Sequence, residues 1–231
     1  MFLIPPEKGM LIQDKGTNLQ DGDCSYFIEV KRQDNARRMD IGVKENIMKK
    51  IERCIVIGIA GGSGSGKTTF CSNLAKNLNV LKVKTISTDD YFREVKPKVN
   101  APYNGKEYDD YDHPTSVDID RLNRDINHFI SSKMFDVVII EGLMVLYFEE
   151  IREKIDLKIF VDCPSDERLV RRLKRDINEQ TFDEISSEYL DLVRHRHNEF
   201  VEPTKWHADL ILNGSITSNN SLDIVRKWVL N

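Results

Sequence analysis

The feature that most constrains the fold of this chain is a glycine-rich segment that directly follows an apolar run. Residues 55–60 read as a strand, and the pattern G-x-x-x-x-G-K-[ST] is filled by Gly61, Gly66, Lys67 and Thr68. Glycines let the backbone point successive N–H groups at an anion, and a following helix adds the positive end of its dipole. The strand before the segment and the helix after it favour a phosphate-binding loop over a flexible linker.

A loop of this kind predicts a bound nucleoside triphosphate, with ATP and Mg²⁺ as the expected cofactors. Lys67 is expected to reach the β- and γ-phosphates, and the Thr68 hydroxyl is expected to bind Mg²⁺. The predicted nucleotide-binding residues are Gly61, Gly62, Ser63, Gly64, Ser65, Gly66, Lys67, Thr68 and Thr69.

Composition and charge narrow the class of protein further. The 231-residue chain has a net charge of −4, so a general nucleic-acid-binding role has no support. Its four cysteines form no C-x-x-C pair, which is typical of reduced thiols in a cytoplasmic protein. The apolar start at residues 1–5 is too short for a signal peptide, and no stretch approaches the length of a membrane span.

From Cys54 onward, apolar strand patterns alternate with amphipathic helix patterns. Strands are predicted at 54–60, 83–87, 135–140, 157–161 and 208–212, and helices at 67–78, 118–130, 166–177, 183–200 and 221–230. This alternation predicts an α/β fold of the P-loop NTPase type, with about five mainly parallel strands and helices on both faces. Residues 51–231 are expected to form this domain, and residues 1–50 a small N-terminal extension of unknown role.

In such sheets the functional site lies beyond the carboxyl ends of the strands, so polar residues that follow strands are candidates. Asp89 and Asp90 follow the second strand, and either is placed to act as the base for a hydroxyl acceptor. Glu141 follows the third strand and is placed to hold Mg²⁺ directly or through water. The alternative for any one such aspartate is a helix-cap or turn position.

One predicted helix carries a dense set of cations, at Arg168, Arg171, Arg172, Lys174 and Arg175. Such a run is by default a solvated charged face. The helix is expected to start near the phosphate loop, which favours a functional role for Arg171, Arg172 and Arg175. Phosphoryl transfer needs cations next to the negative charge that develops. The three-and-four spacing places most of the arginines on one face.

Two smaller clusters have simpler interpretations. His195 and His197 lack a cysteine or carboxylate that completes a metal-ligand set, so we expect surface histidines rather than a metal site. A long polar loop is predicted over 88–116, and its tyrosines either stack on a ring or pack the loop down. These tyrosines are Tyr103, Tyr108 and Tyr111.

Taken together, the motifs resemble those of the uridine kinase family of P-loop nucleoside and metabolite kinases, from about Cys54 to the C-terminus. The landmarks, in the family's order, are GIAGGSGSGKT at 58–68, STDDYF at 87–92, YDHP at 111–114, IEG at 140–142, RLVRRLKRDI at 168–177 and EPTK at 202–205. The resemblance implies an ATP-dependent phosphotransferase with an alcohol group as acceptor. It also implies a small-molecule substrate, a nucleoside or similar alcohol, and a homo-oligomer as a common family assembly.

The resemblance assigns roles position by position. Asp89, rather than Asp90, matches the base that accepts the proton of a nucleoside 5′-hydroxyl. Asp112 matches the carboxylate that holds the ribose hydroxyls, and Tyr111 matches the aromatic residue beside the base. The implied catalytic residues are Asp89, Lys67 and Arg175, and the implied substrate residues are Asp89, Tyr111, Asp112, Arg172 and Glu188.

Three departures from the family pattern concern the acceptor. Residues 131–134 join a helix directly to the next strand, where uridine kinases carry a hairpin that recognises the pyrimidine. Residues 178–182 are shorter than the family's lid and contain no arginine, and Glu188 stands where the family tends to use glutamine. Nicotinamide riboside or another sugar alcohol is therefore an alternative acceptor to a pyrimidine nucleoside.

Two other functions compete with a kinase. A GTPase switch requires N-K-x-D and a D-x-x-G after a strand, and the sequence has neither. A non-catalytic nucleotide sensor has no need for Asp89, Glu141 and Asp112 together. The sequence therefore favours a kinase that phosphorylates a primary hydroxyl, with the 5′-hydroxyl of a ribonucleoside as the leading acceptor.

Overall fold

A computed structural model describes residues 53–101, 105–216 and 218–230 of the chain. The predicted N-terminal extension, its boundary at residue 50 and Tyr103 lie outside the described residues. The strands of the described part are β1 Ile55–Ala60, β2 Val83–Ser87, β3 Lys98–Asn100, β4 Glu107–Asp109, β5 Val137–Gly142, β6 Leu157–Asp162 and β7 Leu210–Asn213.

Five of these strands form one sheet in the order β2-β5-β1-β6-β7, and every neighbouring pair is parallel. This arrangement confirms the predicted five-stranded parallel sheet. Strand β5 is buried along its whole length and β1 along nearly all of it, as expected for central strands covered on both faces. Their carboxyl ends meet where Ala60 pairs with Gly142, and this edge of the sheet carries the candidate site.

Helices cover both faces of the sheet and bury two separate apolar clusters. Val138 and Ile140 belong to one cluster, whereas Val137 and Ile139 belong to the other, because alternate residues of a strand point to opposite faces. The α-helices are α1 Lys67–Asn77, α2 Ile119–Ser131, α3 Glu149–Arg152, α4 Ser165–Asp176, α5 Phe182–Glu188, α6 Arg194–Arg196 and α7 Asn219–Leu230. Across the described residues, none of the helices has the length and apolar character that a membrane crossing requires.

Two segments differ from the predicted elements. The helix predicted over 183–200 consists of α5, α6 and two π-helical segments, Tyr189–Val193 and His197–Val201, and it continues into a 3-10 segment at Glu202–His207. The loop predicted over 88–116 contains an antiparallel hairpin of β3 and β4. The strands of this hairpin are three residues long and mostly exposed, so they carry no apolar alternation from which a strand is predicted.

Candidate active site

The loop between β1 and α1 has the backbone of an anion-binding site. Gly64 and Gly66 have φ angles of 79° and 97°, in the left-handed region where a side chain is strained. Gly66 immediately precedes the first turn of α1, whose unpaired N–H groups therefore lie at the loop. The Lys67 side chain begins the helix and is 9% exposed. The arrangement matches the strand, loop and helix predicted from the sequence.

Close packing under this loop explains why its second residue is glycine. A Cβ atom on Gly62 would lie 2.6 Å from Nη1 of Arg168 and 2.9 Å from the ring atoms Cε1 and Nδ1 of His197. Both side chains are buried, and Arg168 Nε donates to the carbonyl oxygen of Cys163 at 3.1 Å. The loop therefore rests on a buried guanidinium and an imidazole.

His197 corrects the prediction of surface histidines. Its side chain is buried, and Nε2 lies 3.2 Å from Glu202. Burial and the nearby charge of Arg168 lower the pKa of His197 to about 4, so the ring is neutral at physiological pH. The sequence spacing gave no sign of this position, because the histidine is brought to the loop by the irregular π-helical segment.

Arg171 ties the phosphate loop to the loop that follows β7. Its Nη1 donates to the carbonyl oxygens of Gly64 at 3.2 Å, Ser65 at 3.4 Å and Gly214 at 2.8 Å, and its Nη2 donates to the carbonyl oxygen of Ser215 at 3.1 Å. These acceptors occupy the guanidinium. Arg171 is therefore placed to hold the two loops together rather than to face the phosphates.

A cleft of about 580 Å³ opens between these two loops and the arginines of α4. Its volume suits a small-molecule site. The phosphate loop forms one wall, and the loop after β7 forms the other. The lining residues outside the predicted nucleotide-binding set are Phe70, Asn73, Val161, Arg171, Arg172, Arg175, Leu212, Asn213, Gly214, Ser215, Ile216, Ser218, Ser221 and Leu222.

Oxygen ligands from the start of α1 and from the ends of two strands, β2 and β5, converge beside the phosphate loop. The Thr68 hydroxyl donates to Oε2 of Glu141 at 3.2 Å, and the Ser87 hydroxyl donates to Oε1 of the same carboxylate at 3.0 Å. Glu141 is buried. Hydroxyl and carboxylate oxygens are the ligands that Mg²⁺ prefers, so the residues present fit the expected metal.

The same hydrogen-bonded chain continues to the candidate base. Ser87 caps the 3-10 turn Thr88–Tyr91 by accepting from the backbone N–H of Asp89 at 3.4 Å. The Asp89 side chain is exposed to solvent at the rim of the site. A series of hydrogen bonds therefore connects the phosphate loop to the candidate base, through Thr68, Glu141, Ser87 and the backbone of Asp89.

Arg175 lies at the same rim and is bonded to a neighbour on its own helix. Its Nε and Nη2 donate to the two carboxylate oxygens of Asp176 at 2.6 and 3.0 Å. The hydrogen bond to Asp176 is the main cause that raises the pKa of Arg175, and the charge of Asp89 adds to it. Arg175 thus stands near both the cleft and the candidate base, and its contact with phosphates stays a prediction.

A second group of charges surrounds Asp112, which is 8% exposed. Burial raises the pKa of the Asp112 carboxyl to about 6, while the positive charges of Arg172 and Lys67 oppose the rise. The negative charges of Asp110 and Glu188 reinforce it. Arg172 Nη2 donates to Oε2 of Glu188 at 3.3 Å. The structure therefore brings three of the predicted substrate residues, Asp112, Arg172 and Glu188, together near the charge of Lys67.

Tyr111 is the fourth predicted substrate residue and is 43% exposed. Its ring makes an edge-to-face contact with Phe92 at 5.3 Å between centroids. The Lys96 ammonium lies 5.0 Å from the centre of the same ring, a distance typical of a cation–π contact. The ring is thus held by two neighbours from the segment between Asp89 and Asp112.

Several residues of the site were not identified from the sequence. Asp110 and Arg196 form a 2.8 Å ion pair next to Asp112, and the loop after β7 lines the nucleotide cleft. The Asp110 carboxylate was visible as part of the acidic run before YDHP. Arg196 and the glycine at 214 carried no motif, because their roles depend on tertiary packing.

The fold and the site together define a class of protein. A parallel sheet with a phosphate loop after its central strand, and a Thr68–Glu141 pair beside that loop, is the arrangement of a P-loop phosphotransferase. The profile of the Phosphoribulokinase / Uridine kinase family matches residues 56–136 and 128–220. The chain belongs to this family, and it is an ATP-dependent phosphotransferase that acts on a hydroxyl.

Individual relatives agree with the family match. The chain is 34% identical over 191 residues to a uridine kinase of Lactobacillus helveticus (strain DPC 4571). The aligned region covers 72% of this chain and 89% of the relative. It is 36% identical over 182 residues to a uridine kinase of Geobacillus kaustophilus (strain HTA426), covering 68% and 85% respectively. A crystal structure from Silicibacter sp. TM1040, of a candidate fructose transport system kinase, superposes with a TM-score of 0.51 at 15% identity, over 69% of this chain and 90% of that one. This last likeness concerns the fold alone.

Proposed function

We propose that the protein transfers the γ-phosphate of ATP to the 5′-hydroxyl of a ribonucleoside, with uridine as the first candidate acceptor. The observation that carries the proposal is the hydrogen-bonded chain from Thr68 through Glu141 and Ser87 to the backbone of Asp89. This chain sets the candidate base at a fixed place relative to the phosphate loop. The relatives named uridine kinase support uridine over nicotinamide riboside as the acceptor.

Each residue has a distinct part in this proposal. Lys67 binds the β- and γ-phosphates, and Thr68 and Glu141 hold Mg²⁺. When bound, Mg²⁺ neutralises part of the phosphate charge. Asp89 orients the acceptor hydroxyl and accepts its proton as the hydroxyl oxygen bonds to the γ-phosphorus; the bond from that phosphorus to the β–γ bridging oxygen breaks, and ADP leaves. Asp112 accepts hydrogen bonds from the ribose hydroxyls.

The cleft divides between the two halves of ATP. The phosphate loop takes the phosphates, so we assign the loop after β7, with Gly214, Ser215, Ile216 and Ser218 in the cleft lining, to the nucleoside half. Support comes from the cleft lining, in which apolar side chains such as Phe70 and Leu222 accompany the polar groups of this loop. Apolar walls with few polar groups are typical of sites for aromatic rings.

The experiment is to measure ADP release with a panel of acceptors: uridine, cytidine, adenosine, nicotinamide riboside and ribose. Uridine is expected to give the largest kcat/KM. The Asp89→Asn variant should lose about 10²- to 10⁴-fold in kcat while its ATP affinity stays close to that of the wild type. Asp90→Asn is the matched control, since Asp90 is adjacent to Asp89 in the sequence and its carboxylate is also exposed. Full turnover in Asp89→Asn, or the loss in Asp90→Asn instead, contradicts the assignment.

A further inference from the structure

The segment that carries Asp112 is anchored two residues earlier, at Asp110. This carboxylate is 1% exposed. Its Oδ2 accepts from Arg196 Nε at 2.8 Å, and its Oδ1 has no hydrogen-bond partner in the part of the chain that the structure describes. A buried carboxylate is costly without a counter-charge. Arg196 therefore supplies the counter-charge of the buried Asp110 carboxylate.

The backbone of Asp110 is fixed on both sides as well. Its N–H donates to the carbonyl oxygen of Pro97 at 2.9 Å. Its carbonyl oxygen accepts from the hydroxyl of Ser116, a residue with no exposed surface. With its side chain held by Arg196, Asp110 is a rigid point from which the chain reaches Asp112.

Arg196 comes from the irregular helical region, at the end of α6 and between the two π-helical segments. Its second partner is Glu199, at 2.6 Å and exposed to solvent. The next residue, His197, lies against Gly62 of the phosphate loop. Consecutive residues of this region thus contact the two halves of the site, and π-helical turns are frequent at functional sites.

We propose that the Arg196–Asp110 ion pair positions the acceptor-binding carboxylate Asp112, so that both residues act in acceptor recognition without touching the acceptor. The inference rests on the proposed function, in which Asp112 binds the ribose. Asp110 and Arg196 are positioning residues. They act in two ways: the anchored backbone fixes where Asp112 lies, and the ion pair limits the negative charge that Asp112 experiences.

The charges that face Asp112 are Arg172 of α4, Glu188 of α5, Lys67 of α1 and Asp110 itself. The ionised Asp112 carboxylate offers two acceptor oxygens to the ribose hydroxyls, whereas the protonated acid uses one oxygen as a donor. Removing the Asp110 charge favours ionisation, whereas removing Arg196 leaves Asp110 uncompensated and disfavours it. The two substitutions are therefore expected to shift the pH dependence of acceptor binding in opposite directions.

The experiment measures acceptor KM against pH for the wild type and five variants of the full-length chain. Asp110→Asn is expected to move the profile to lower pH by about 0.5 to 1 unit, and Arg196→Met to higher pH by a similar amount. Combining the two should return the profile toward the wild type. Arg196→Lys keeps the charge and should stay close to the wild type in its profile.

Glu199→Gln is the matched control, because it removes the other partner of Arg196 on the solvent side. Its profile should not move. A shift of both charge-removing variants in one direction, or no shift in either, overturns the proposal, since a purely structural role lowers activity without moving the profile. If Arg196→Met does not fold, the comparison of Asp110→Asn with Glu199→Gln tests the proposal. The pH profile of acceptor KM should move to lower pH in Asp110→Asn and stay in place in Glu199→Gln.

A second readout separates this proposal from the proposed function. Carbon-13 NMR of labelled aspartate carboxyls, with Asp112→Asn used to assign the signal, follows the ionisation of Asp112 in the free protein. Opposite shifts of that titration support the ion-pair role even if no ribonucleoside is turned over. Titrations that coincide in Asp110→Asn, Arg196→Met and the wild type refute it even if uridine is a good substrate.

Discussion

The bridge that Arg171 forms between the two loops of the nucleotide cleft leads to a quantitative prediction. Replacing Arg171 with alanine removes its two shortest bonds to the loop after β7, at 2.8 Å to Gly214 and 3.1 Å to Ser215. At a net value of about 1 kcal/mol for each bond, the loss is about 2 kcal/mol. This corresponds to an increase of about 30-fold in the Kd for ATP.

Calorimetry with ATP and with inorganic tripolyphosphate separates the loop bridge from a simple loss of charge. Tripolyphosphate meets only the phosphate loop, so its affinity should fall by a few-fold at most in Arg171→Ala. Arg171→Lys keeps the charge but offers one compact ammonium in place of a guanidinium fork. It should therefore retain tripolyphosphate binding and recover only part of the affinity for ATP.

Lys174→Ala is the matched control, because Lys174 is an exposed cation on the same helix. Its affinities for both ligands should stay within about twofold of the wild type. If Arg171→Ala lowers the affinities for ATP and tripolyphosphate by the same factor, the arginine acts through its charge alone. The reasoning from the loop bridge is then wrong.

Three further predictions concern the metal site, the acceptor carboxylate and the sheet edge. Glu141→Gln, which replaces the carboxylate shared by Thr68 and Ser87, should raise the Mg²⁺ concentration for half-maximal ADP release by at least about tenfold; an unchanged Mg²⁺ titration contradicts the metal assignment. Acceptor KM should fall as the pH rises through about 6, because a raised pKa keeps Asp112 protonated below that value, and a profile that is flat between about pH 5 and pH 8 argues against its role. In Gly142→Ala the new methyl group would lie 1.7 Å from Oγ1 of Thr88, so the free energy of unfolding should fall by about 1–3 kcal/mol; urea denaturation with an unchanged midpoint counts against this packing.

The sheet and the phosphate loop were predictable because local patterns determine them. The continuous apolar run before Glu141 can only be satisfied by burial on both faces, and it lies in β5, an interior strand next to the central strand β1. The glycines at 64 and 66 indicate left-handed backbone. The strand-end rule then brought Asp89 and Glu141 to one edge of the sheet.

The surroundings of these residues were not predictable in the same way. The arginines of α4 share a face by spacing, but each has a different environment. Arg168 is buried under Gly62, Arg171 bonds to backbone carbonyls, Arg172 pairs with Glu188, and Arg175 pairs with Asp176. Helical periodicity gives direction but not partners, because several of the partners lie on other elements, as far as 107 positions away in the sequence.

The structure also shows the segment that departs from the family pattern between α2 and β5. The connection at 131–134 is short, as the sequence indicated, whereas a hairpin of β3 and β4 occurs before Tyr111 instead. Its strands are too short for a pattern, and exposed ion pairs join Lys98 to Glu107 and Asp109 across the pairing. The sequence therefore indicated the short connection at 131–134 without indicating the hairpin of β3 and β4.

The bridge between Phe92 and Val117 closes the segment that joins Asp89 to α2. Because this bridge holds the two ends of the segment next to each other, the length and sequence of the segment can change without altering the strand order of the sheet. The entropic cost of a longer segment rises only with the logarithm of its length. Insertions and deletions between Phe92 and Val117 can thus remodel this side of the site while the sheet and the phosphate loop keep their structure.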